Sequence, residues 1–367
     1  MPVPCAGSPL SSLSPPEQAL AEGRWVKLIC GASNQDLAAI EDLAGLYALA
    51  GVHCIDAAAD GAVVAAVRRG VGWALERGAA QPWLMVSLSD GADPHFRKAW
   101  FDPSRCPTSC PRPCERVCPA LAIGVAATGM AGVLADRCYG CGRCLPACPA
   151  GLIEERDQVL AGEAVPAVLA ELQPDAVELH CQGGRLEAFG ARLDQLQRSG
   201  VPLQRVAVSM GRGDGSVVDL AAELWHRFAA LRRAGFRPLW QLDGRPMSGD
   251  LGAGAAQAAV QLLQRLRPLA PPGPLQLAGG TNAHSHALLN RHGLQAAAAG
   301  VGFGGAARQR LLPWLQQAQA RQMRLLDCVD LWPQALATAR ALVAPWLQQD
   351  AGGCREAVDE GPGAVGN

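Results

Sequence analysis

A run of four cysteines constrains the fold more than any other part of this sequence. The run reads Cys138-Tyr-Gly-Cys141-Gly-Arg-Cys144-Leu-Pro-Ala-Cys148-Pro149, which is the C-x2-C-x2-C-x3-C-P spacing of bacterial ferredoxins. Three thiolates on one tight, glycine-containing loop can bind three irons of a single cubane. The proline after the fourth cysteine turns that thiolate toward a second cluster. The run therefore predicts a ferredoxin-like domain with 4Fe–4S clusters.

A second set of four cysteines precedes this run and also ends in a Cys-Pro pair. It reads Cys106-Pro-Thr-Ser-Cys110-Pro-Arg-Pro-Cys114-Glu-Arg-Val-Cys118-Pro119, and its prolines exclude a helix through Cys114. Because two-cluster ferredoxins exchange their fourth cysteines, we predict one cluster on Cys138, Cys141, Cys144 and Cys118, and a second on Cys106, Cys110, Cys114 and Cys148. The longer spacings suit a second cluster that is labile or incomplete. Two zinc sites are the alternative for the same thiols.

The composition narrows the class of protein. The chain has 367 residues, of which 49% are hydrophobic, and its formal net charge is −1, so it offers no basic stripe for nucleic acid. No apolar stretch reaches the ~20 residues of a membrane span, and residues 1–16 lack the basic and apolar regions of a signal peptide. Fourteen cysteines in such a chain favour metal ligation in a reducing compartment. We therefore expect a soluble, cytoplasmic protein.

Short apolar runs recur along the chain, and each is followed by a helical pattern, which is typical of parallel βα units. They are spaced by about 25 to 37 residues, except for one long gap that holds the cysteines. Removing the cysteine segment as an insertion after the third run restores the period and predicts a (β/α)8 barrel, with an open doubly wound sheet as the alternative. The runs are 26–31, 54–59, 83–88, 176–181, 206–210, 238–242, 275–278 and 301–304.

These patterns divide the chain into five segments. We predict flexible tails at both ends, a barrel in two parts, and the ferredoxin-like insertion between those parts. The boundaries are 1–22 for the N-terminal tail, 23–98 and 156–348 for the barrel, 99–155 for the insertion, and 349–367 for the C-terminal tail.

Active sites of such barrels lie at the carboxyl ends of the strands, often with a phosphate site after strands seven and eight. Those loops here contain Gly279-Gly280 and Gly304-Gly305, whose backbone N–H groups could approach an anion. Asp243 and Arg245 follow the sixth strand and could orient an anionic ligand. We expect a phosphate-bearing ligand at the barrel mouth, flavin above all. Glycines that only make tight turns, and a rigid loop at Asp243, are the alternatives.

Several long motifs resemble the cyanobacterial light-dependent-period (LdpA) family. They are residues 23–36, residues 89–98, both cysteine runs and residues 243–250, and the resemblance spans roughly 23–348. It implies an iron–sulfur protein that senses cellular redox state as a proxy for light and adjusts the period of the circadian clock. It also implies clock-input and clock proteins as partners, such as the input histidine kinase, and clusters on the eight cysteines.

Three functions remain open at this point. The leading hypothesis is a redox sensor without a substrate, whose clusters exchange electrons with quinone or ferredoxin. The second is an iron–sulfur oxidoreductase with a flavin or another phosphate-bearing ligand at the barrel mouth. The third is a scaffold whose clusters only stabilise the fold.

Overall fold

A closed barrel of eight parallel strands forms the centre of the computed structural model, which describes residues 13–126, 129–244 and 254–348. Barrel strands follow one another around the barrel in chain order, and β1 pairs with β12 to close it. The predicted barrel is therefore confirmed, and the open-sheet alternative is wrong. The strands are β1 (Trp25–Ile29), β2 (Cys54–Ala58), β3 (Trp83–Ser89), β4 (Arg97–Trp100), β5 (Ile123–Ala126), β6 (Gly129–Val133), β7 (Glu154–Asp157), β8 (Ala176–His180), β9 (Arg205–Gly211), β10 (Pro238–Asp243), β11 (Leu275–Ala278) and β12 (Gly300–Phe303); β4 to β7 lie outside the barrel.

Helices surround the barrel because their apolar faces pack on the outer faces of the strands. Two of them begin at aspartates that follow strands: Asp36 accepts a hydrogen bond from the N–H of Ala39, and Asp60 accepts bonds from Ala62 and Val63. The helices are α1 (Pro15–Glu22), α2 (Leu37–Ala50), α3 (Gly61–Leu75), α4 (Pro113–Val117), α5 (Cys144–Ala147), α6 (Val165–Leu172), α7 (Leu186–Arg198), α8 (Val217–Arg233), α9 (Ala255–Leu266), α10 (Ser285–Arg291), α11 (Gly305–Ala320) and α12 (Trp332–Leu347). In the part of the chain that the structure describes, no helix is long and apolar enough to cross a membrane.

The cysteine segment leaves the barrel after β3 and returns before β8. An antiparallel pair closes its base, with Arg97 of β4 opposite Asp157 of β7. This pair extends the insertion by two residues beyond each end of the predicted segment 99–155. A second hairpin, β5 with β6, and the two short helices α4 and α5 carry the cysteine loops. Cys114 lies in α4, so the expectation that prolines exclude a helix there is wrong: Pro113 occupies the first helical position, where a proline is tolerated.

The N-terminal residues differ from the flexible tail predicted for residues 1–22. Residues 15–22 form helix α1, which closes the amino end of the barrel, with Leu20 packed among the interior residues Trp25, Trp83 and Leu239. The buried Glu17 side chain accepts hydrogen bonds from two arginines, Arg205 and Arg237. The expectation of a tail is therefore wrong for this helix. Residues 1–12 and the predicted tail 349–367 lie outside the described residues.

Candidate functional site

The structure places the eight cysteine thiols of the insertion in two groups, and each group draws on both runs. Cys118 joins the first group, and all four of its thiols line one small cavity. Cys148 lies with the second group, where it and Cys110 stand close enough to Cys106 to disfavour ionisation of that thiol. The first group is Cys118, Cys138, Cys141 and Cys144, and the second is Cys106, Cys110, Cys114 and Cys148.

Backbone N–H groups point at several of these sulfurs. The N–H of Ala122 lies 3.2 Å from the Cys118 sulfur, and the N–H of Leu152 lies 3.4 Å from the Cys148 sulfur. Each donor follows its cysteine by four residues, so the two halves of the insertion are built alike. A third donor, Ala99 of β4, lies 3.3 Å from the Cys138 sulfur. Such bonds stabilise negative charge on sulfur.

The electrostatics of the thiols fit a cationic metal cluster. Burial, followed by the neighbouring thiols of Cys141, Cys138 and Cys118, raises the pKa of Cys144 to about 12. Burial also raises the pKa of Cys114, and Cys148 and Cys106 add to the rise. Metals bind thiolates, and the positive charge of a bound cluster offsets the cost of ionising adjacent buried thiols. The donor set of each group therefore suits iron–sulfur ligation.

The loop after β1 fastens the insertion to the barrel. Lys98 of β4 donates hydrogen bonds of 2.6 Å to the Gln35 side chain and to the carbonyl of Ala135. The N–H of Gln35 bonds to the carbonyl of Asp136 at 2.9 Å. The polar residues that follow the first strand thus have a docking role.

A cavity of about 1030 Å³ separates the barrel mouth from the insertion. Cys118, Cys141 and Tyr139 line it on the insertion side, so the first thiol group borders the barrel mouth. Arg308 of α11 lies 4.7 Å above the Tyr139 ring and donates a hydrogen bond to the Cys30 carbonyl, which ties this rim to the barrel. The volume is at the upper end of the range for small-molecule sites, ~300 to 1,000 Å³.

Most of the predicted mouth residues line this cavity. Gly279, Gly280, Gly304, Gly305 and Asp243 do so, and Arg245 lies outside the described residues. Gly279 and Gly280 have positive φ angles of 58° and 96°, and a Cβ at Gly280 would come within 2.8 Å of the Ala255 carbonyl oxygen. The turn itself therefore requires glycine at this pair, whether or not an anion binds there.

The floor of the cavity is a hydrogen-bonded polar layer inside the barrel. Gln241 is central, because its amide donates to Glu178 at 2.6 Å and to the Ser209 hydroxyl at 3.0 Å. Ser209 in turn donates to Asp243 at 2.6 Å, and Gln276 donates to the Gln241 carbonyl oxygen at 2.7 Å. Below this layer the interior is apolar.

One buried lysine faces several carboxylates in this layer. Lys27 is fully buried and donates to Glu178, which is also fully buried. Although burial opposes ionisation, Lys27 holds the pKa of Glu178 below its usual value. Burial and the nearby Glu178 charge raise the pKa of Asp56 to about 8, and burial raises the pKa of Asp243 to about 6. Asp56 is therefore largely protonated at neutral pH, which lowers the negative charge of the site.

Two histidines and an aspartate stand at the edge of this floor. Asp93 and His95 follow β3, and His180 ends β8; the His95 and His180 rings are 4.6 Å apart. Burial lowers the pKa of His180 to about 4, so its imidazole is neutral. Although burial opposes ionisation, the hydrogen bond that the His95 ring donates to the Asp93 carboxylate raises the pKa of His95. Both histidines line the cavity.

Apart from Asp243, the residues of the hydrogen-bonded floor are not predicted from the sequence. Lys27, Asp56 and Glu178 each lie in the middle of an apolar run, where a single charged residue was the available signal. His284 and His286, which lacked companions at metal spacing, lie apart from this floor at the start of α10, where His286 packs on Trp346.

Two family models and a known protein match this chain in sequence. Residues 106–159 match the family model of the LdpA Fe-S cluster-binding domain, and residues 168–345 match that of the Light dependent period A C-terminal domain. The protein Light dependent period A of Synechococcus elongatus is 46% identical over 354 residues, which cover 95% of this chain and 97% of that protein.

Solved structures match this chain at much lower identity. The YdjI aldolase of Escherichia coli K12 has a TM-score of 0.44 at 10% identity, covering 92% of this chain and 96% of that chain. The carboxyl transferase domain of Rhizobium etli pyruvate carboxylase has a TM-score of 0.40 at 12% identity, covering 92% and 53%. The 46% sequence identity and the two family models, and not these structural likenesses, show that the chain belongs to the Light dependent period A family and has that family's iron–sulfur-binding domain.

Proposed function

We propose that this protein is an iron–sulfur redox sensor that conveys light-dependent cellular redox state to the circadian clock and modulates its period. The observation that carries the proposal is the two groups of four thiols, one on Cys118, Cys138, Cys141 and Cys144 and the other on Cys106, Cys110, Cys114 and Cys148. A 4Fe–4S cluster on each group, once bound, supplies reversible one-electron chemistry. The family name of the Synechococcus relative supports the link to light and period.

The protein's own groups set how readily an electron is accepted at each group of thiols. The N–H donors of Ala99, Ala122 and Leu152 stabilise negative charge on the sulfurs and so favour the reduced state. The second group contributes three half-buried thiols, Cys106, Cys110 and Cys148, near the surface. Access from outside suits exchange with a carrier such as quinone or ferredoxin, and docking of clock-input proteins, including the input histidine kinase, in the cytoplasm.

A pair of cysteine variants tests this function. Cys144→Ser removes a buried ligand of the first group, and Cys328→Ser alters a buried cysteine near α12, far from both groups along the chain. We expect Cys144→Ser to lose the sulfide of one cluster and the light dependence of the clock period, while Cys328→Ser keeps both. An unchanged light response in a Cys144→Ser protein that lacks the cluster would refute the sensor.

An iron–sulfur oxidoreductase with a flavin or another phosphate-bearing ligand is the second candidate. It is favoured by one observation: Cys118 and Cys141 border the same cavity as the glycine pairs Gly279-Gly280 and Gly304-Gly305. Anaerobic purification followed by flavin, phosphate, iron and sulfide analysis separates the two. Bound flavin supports the enzyme, and clusters that titrate reversibly without flavin support the sensor. A protein whose clusters show no reversible redox change at physiological potentials would be a scaffold.

A further inference from the structure

Three side chains at the edge of the cavity floor converge as metal ligands would. Asp93, His95 and His180 each offer one donor atom, and these atoms all lie within 4.8 Å of one another. We propose that these three residues bind one divalent transition-metal ion, of the class that includes Zn²⁺, with its open coordination positions directed into the cavity. The site is separate from the eight cysteines, and it does not depend on the sensor function.

The local structure holds these ligands in place before any ion binds. Asp93 opens the turn after β3, where one of its carboxylate oxygens accepts a 2.9 Å bond from the His95 N–H and lies 2.7 Å from His95 Nδ1. His180 lies opposite Ser89 in the pairing of β3 with β8, and its ring packs edge-on against Phe96. Two adjacent strand ends therefore fix the three donors, and little ordering remains for the ion to impose.

The spacing suits a single ion. Zinc binds nitrogen and oxygen at about 2.0 to 2.2 Å in a tetrahedral arrangement, so two donors on one ion stand ~3.4 Å apart. The three donor atoms here lie within 4.8 Å of one another, which exceeds that separation by about 1.4 Å at most. Rotation of the side chains closes this difference when an ion binds.

The charges around the floor also call for a cation. Three carboxylates, those of Asp93, Glu178 and Asp243, lie near Lys27 or His95, beside the largely protonated Asp56. Lys27 is committed to Glu178, and Asp56 leaves one oxygen without a hydrogen-bond partner among the described residues. Buried carboxylates in excess of their cations are costly, and a dication at Asp93 reduces that excess directly.

The donor set indicates the class of ion and ligand. Two imidazoles and a carboxylate suit Zn²⁺ or Fe²⁺, and three protein ligands with an open position are typical of a reactive site, whereas structural zinc sites have four. His95 and His180 line the cavity, so the open positions face a space that an oxygen-bearing small molecule can enter. Arg116, Arg143 and Arg308 line the same space, which favours an anionic ligand such as a carboxylate.

Metal uptake by the full-length, cluster-loaded protein tests the proposal. Zn²⁺ alone is the probe, and zinc, iron and acid-labile sulfide are measured in the same samples after anaerobic dialysis. We expect one bound Zn²⁺ per chain beyond the cluster metal. Asp93→Asn and His180→Gln should each weaken it at least ~10-fold, since even outer-shell partners of a metal contribute 10- to 100-fold. His284→Ala alters an exposed histidine outside the site and should bind as the wild type does.

The cysteines need their own control, because vacant thiols also bind zinc. Cys144→Ser should lose sulfide and keep the Zn²⁺ that depends on Asp93. The proposal is overturned if the wild type takes up no additional Zn²⁺, or if its zinc survives in Asp93→Asn and His180→Gln. Because these two variants lie on different strand ends, one remains decisive if the other fails to fold, and the sulfide content reports on the clusters separately.

Discussion

Replacing Lys27 with methionine should show how much an unpaired charge inside the barrel lowers the free energy of unfolding. Lys27 and Glu178 are both fully buried, and methionine keeps the length of the side chain while removing its charge. Glu178 then lies near Asp56 without the ammonium group that bonds to it. Removing one partner of a buried ion pair costs ~3–5 kcal/mol, because the remaining charge is left uncompensated. We expect Lys27→Met to lower the free energy of unfolding by that amount at pH 8.

The loss should depend on pH in a defined direction. In the wild type, Lys27 holds the pKa of Glu178 below its ordinary value of 4.5, so the stability from Glu178 is present above pH 4.5 and is lost as the pH falls. In the variant, burial without Lys27 raises the folded-state pKa of Glu178 above its unfolded value. Its stability is then lost as the pH rises through the folded-state pKa. The destabilisation should therefore be larger at pH 8 than at pH 5.5.

Urea unfolding followed by far-UV circular dichroism at both pH values measures this effect, with cluster absorbance recorded alongside. Lys98→Met is the matched control, because Lys98 is the other lysine of the chain and bonds to the neutral groups of Gln35 and Ala135. Its loss should be equal at both pH values. An uncompensated Glu178 charge is refuted if Lys27→Met shows no difference between pH 5.5 and pH 8, or if adding Glu178→Gln recovers no stability.

Two further predictions concern the insertion and the barrel base. Gly140→Ala should lose iron and sulfide from the first thiol group, because its Cβ would overlap the Arg97 carbonyl. The control is Gly151→Ala, which is also at positive φ but faces open space. Its free energy of unfolding should fall by only ~1–2 kcal/mol, and its sulfide content should not change. Glu17→Gln should lower the free energy of unfolding in urea by about 3 kcal/mol, because the buried Glu17 bonds to Arg205 and Arg237. Glu22→Gln alters the more exposed pair with Arg24 and should lower it by ~0–1 kcal/mol. Equal midpoints for these two glutamine variants would contradict the assigned role of helix α1.

The barrel could be predicted because its strands are short apolar runs that recur with a regular period. The interior could not, because strands of such a barrel are buried on both faces and their sequence does not reveal which side points inward. Lys27 and Glu178 meet only when β1 and β8 curve into one ring, because they are 151 positions apart in the chain. Strand prediction therefore locates both residues without pairing them.

The cysteine spacing predicted a local module, since all its ligands fall within one short stretch. Helix α1 had no comparable signal. It is eight residues long, and Glu17 finds its partners Arg205 and Arg237 188 and 220 residues farther along the chain. A short polar segment of this kind is stabilised by tertiary contacts, which local sequence patterns do not encode.

Cys118 and Cys141 line the cavity on the insertion side, and this position has a thermodynamic consequence. An added electron on the first thiol group would increase the negative charge beside whatever occupies the barrel mouth. A bound anion would therefore make that electron harder to add. Because coupling between two binding events is reciprocal, reduction would weaken the binding of the anion by the same factor. The concentration of an anionic metabolite and the redox state of a cluster on the first thiol group would then affect one another across the lining of this cavity.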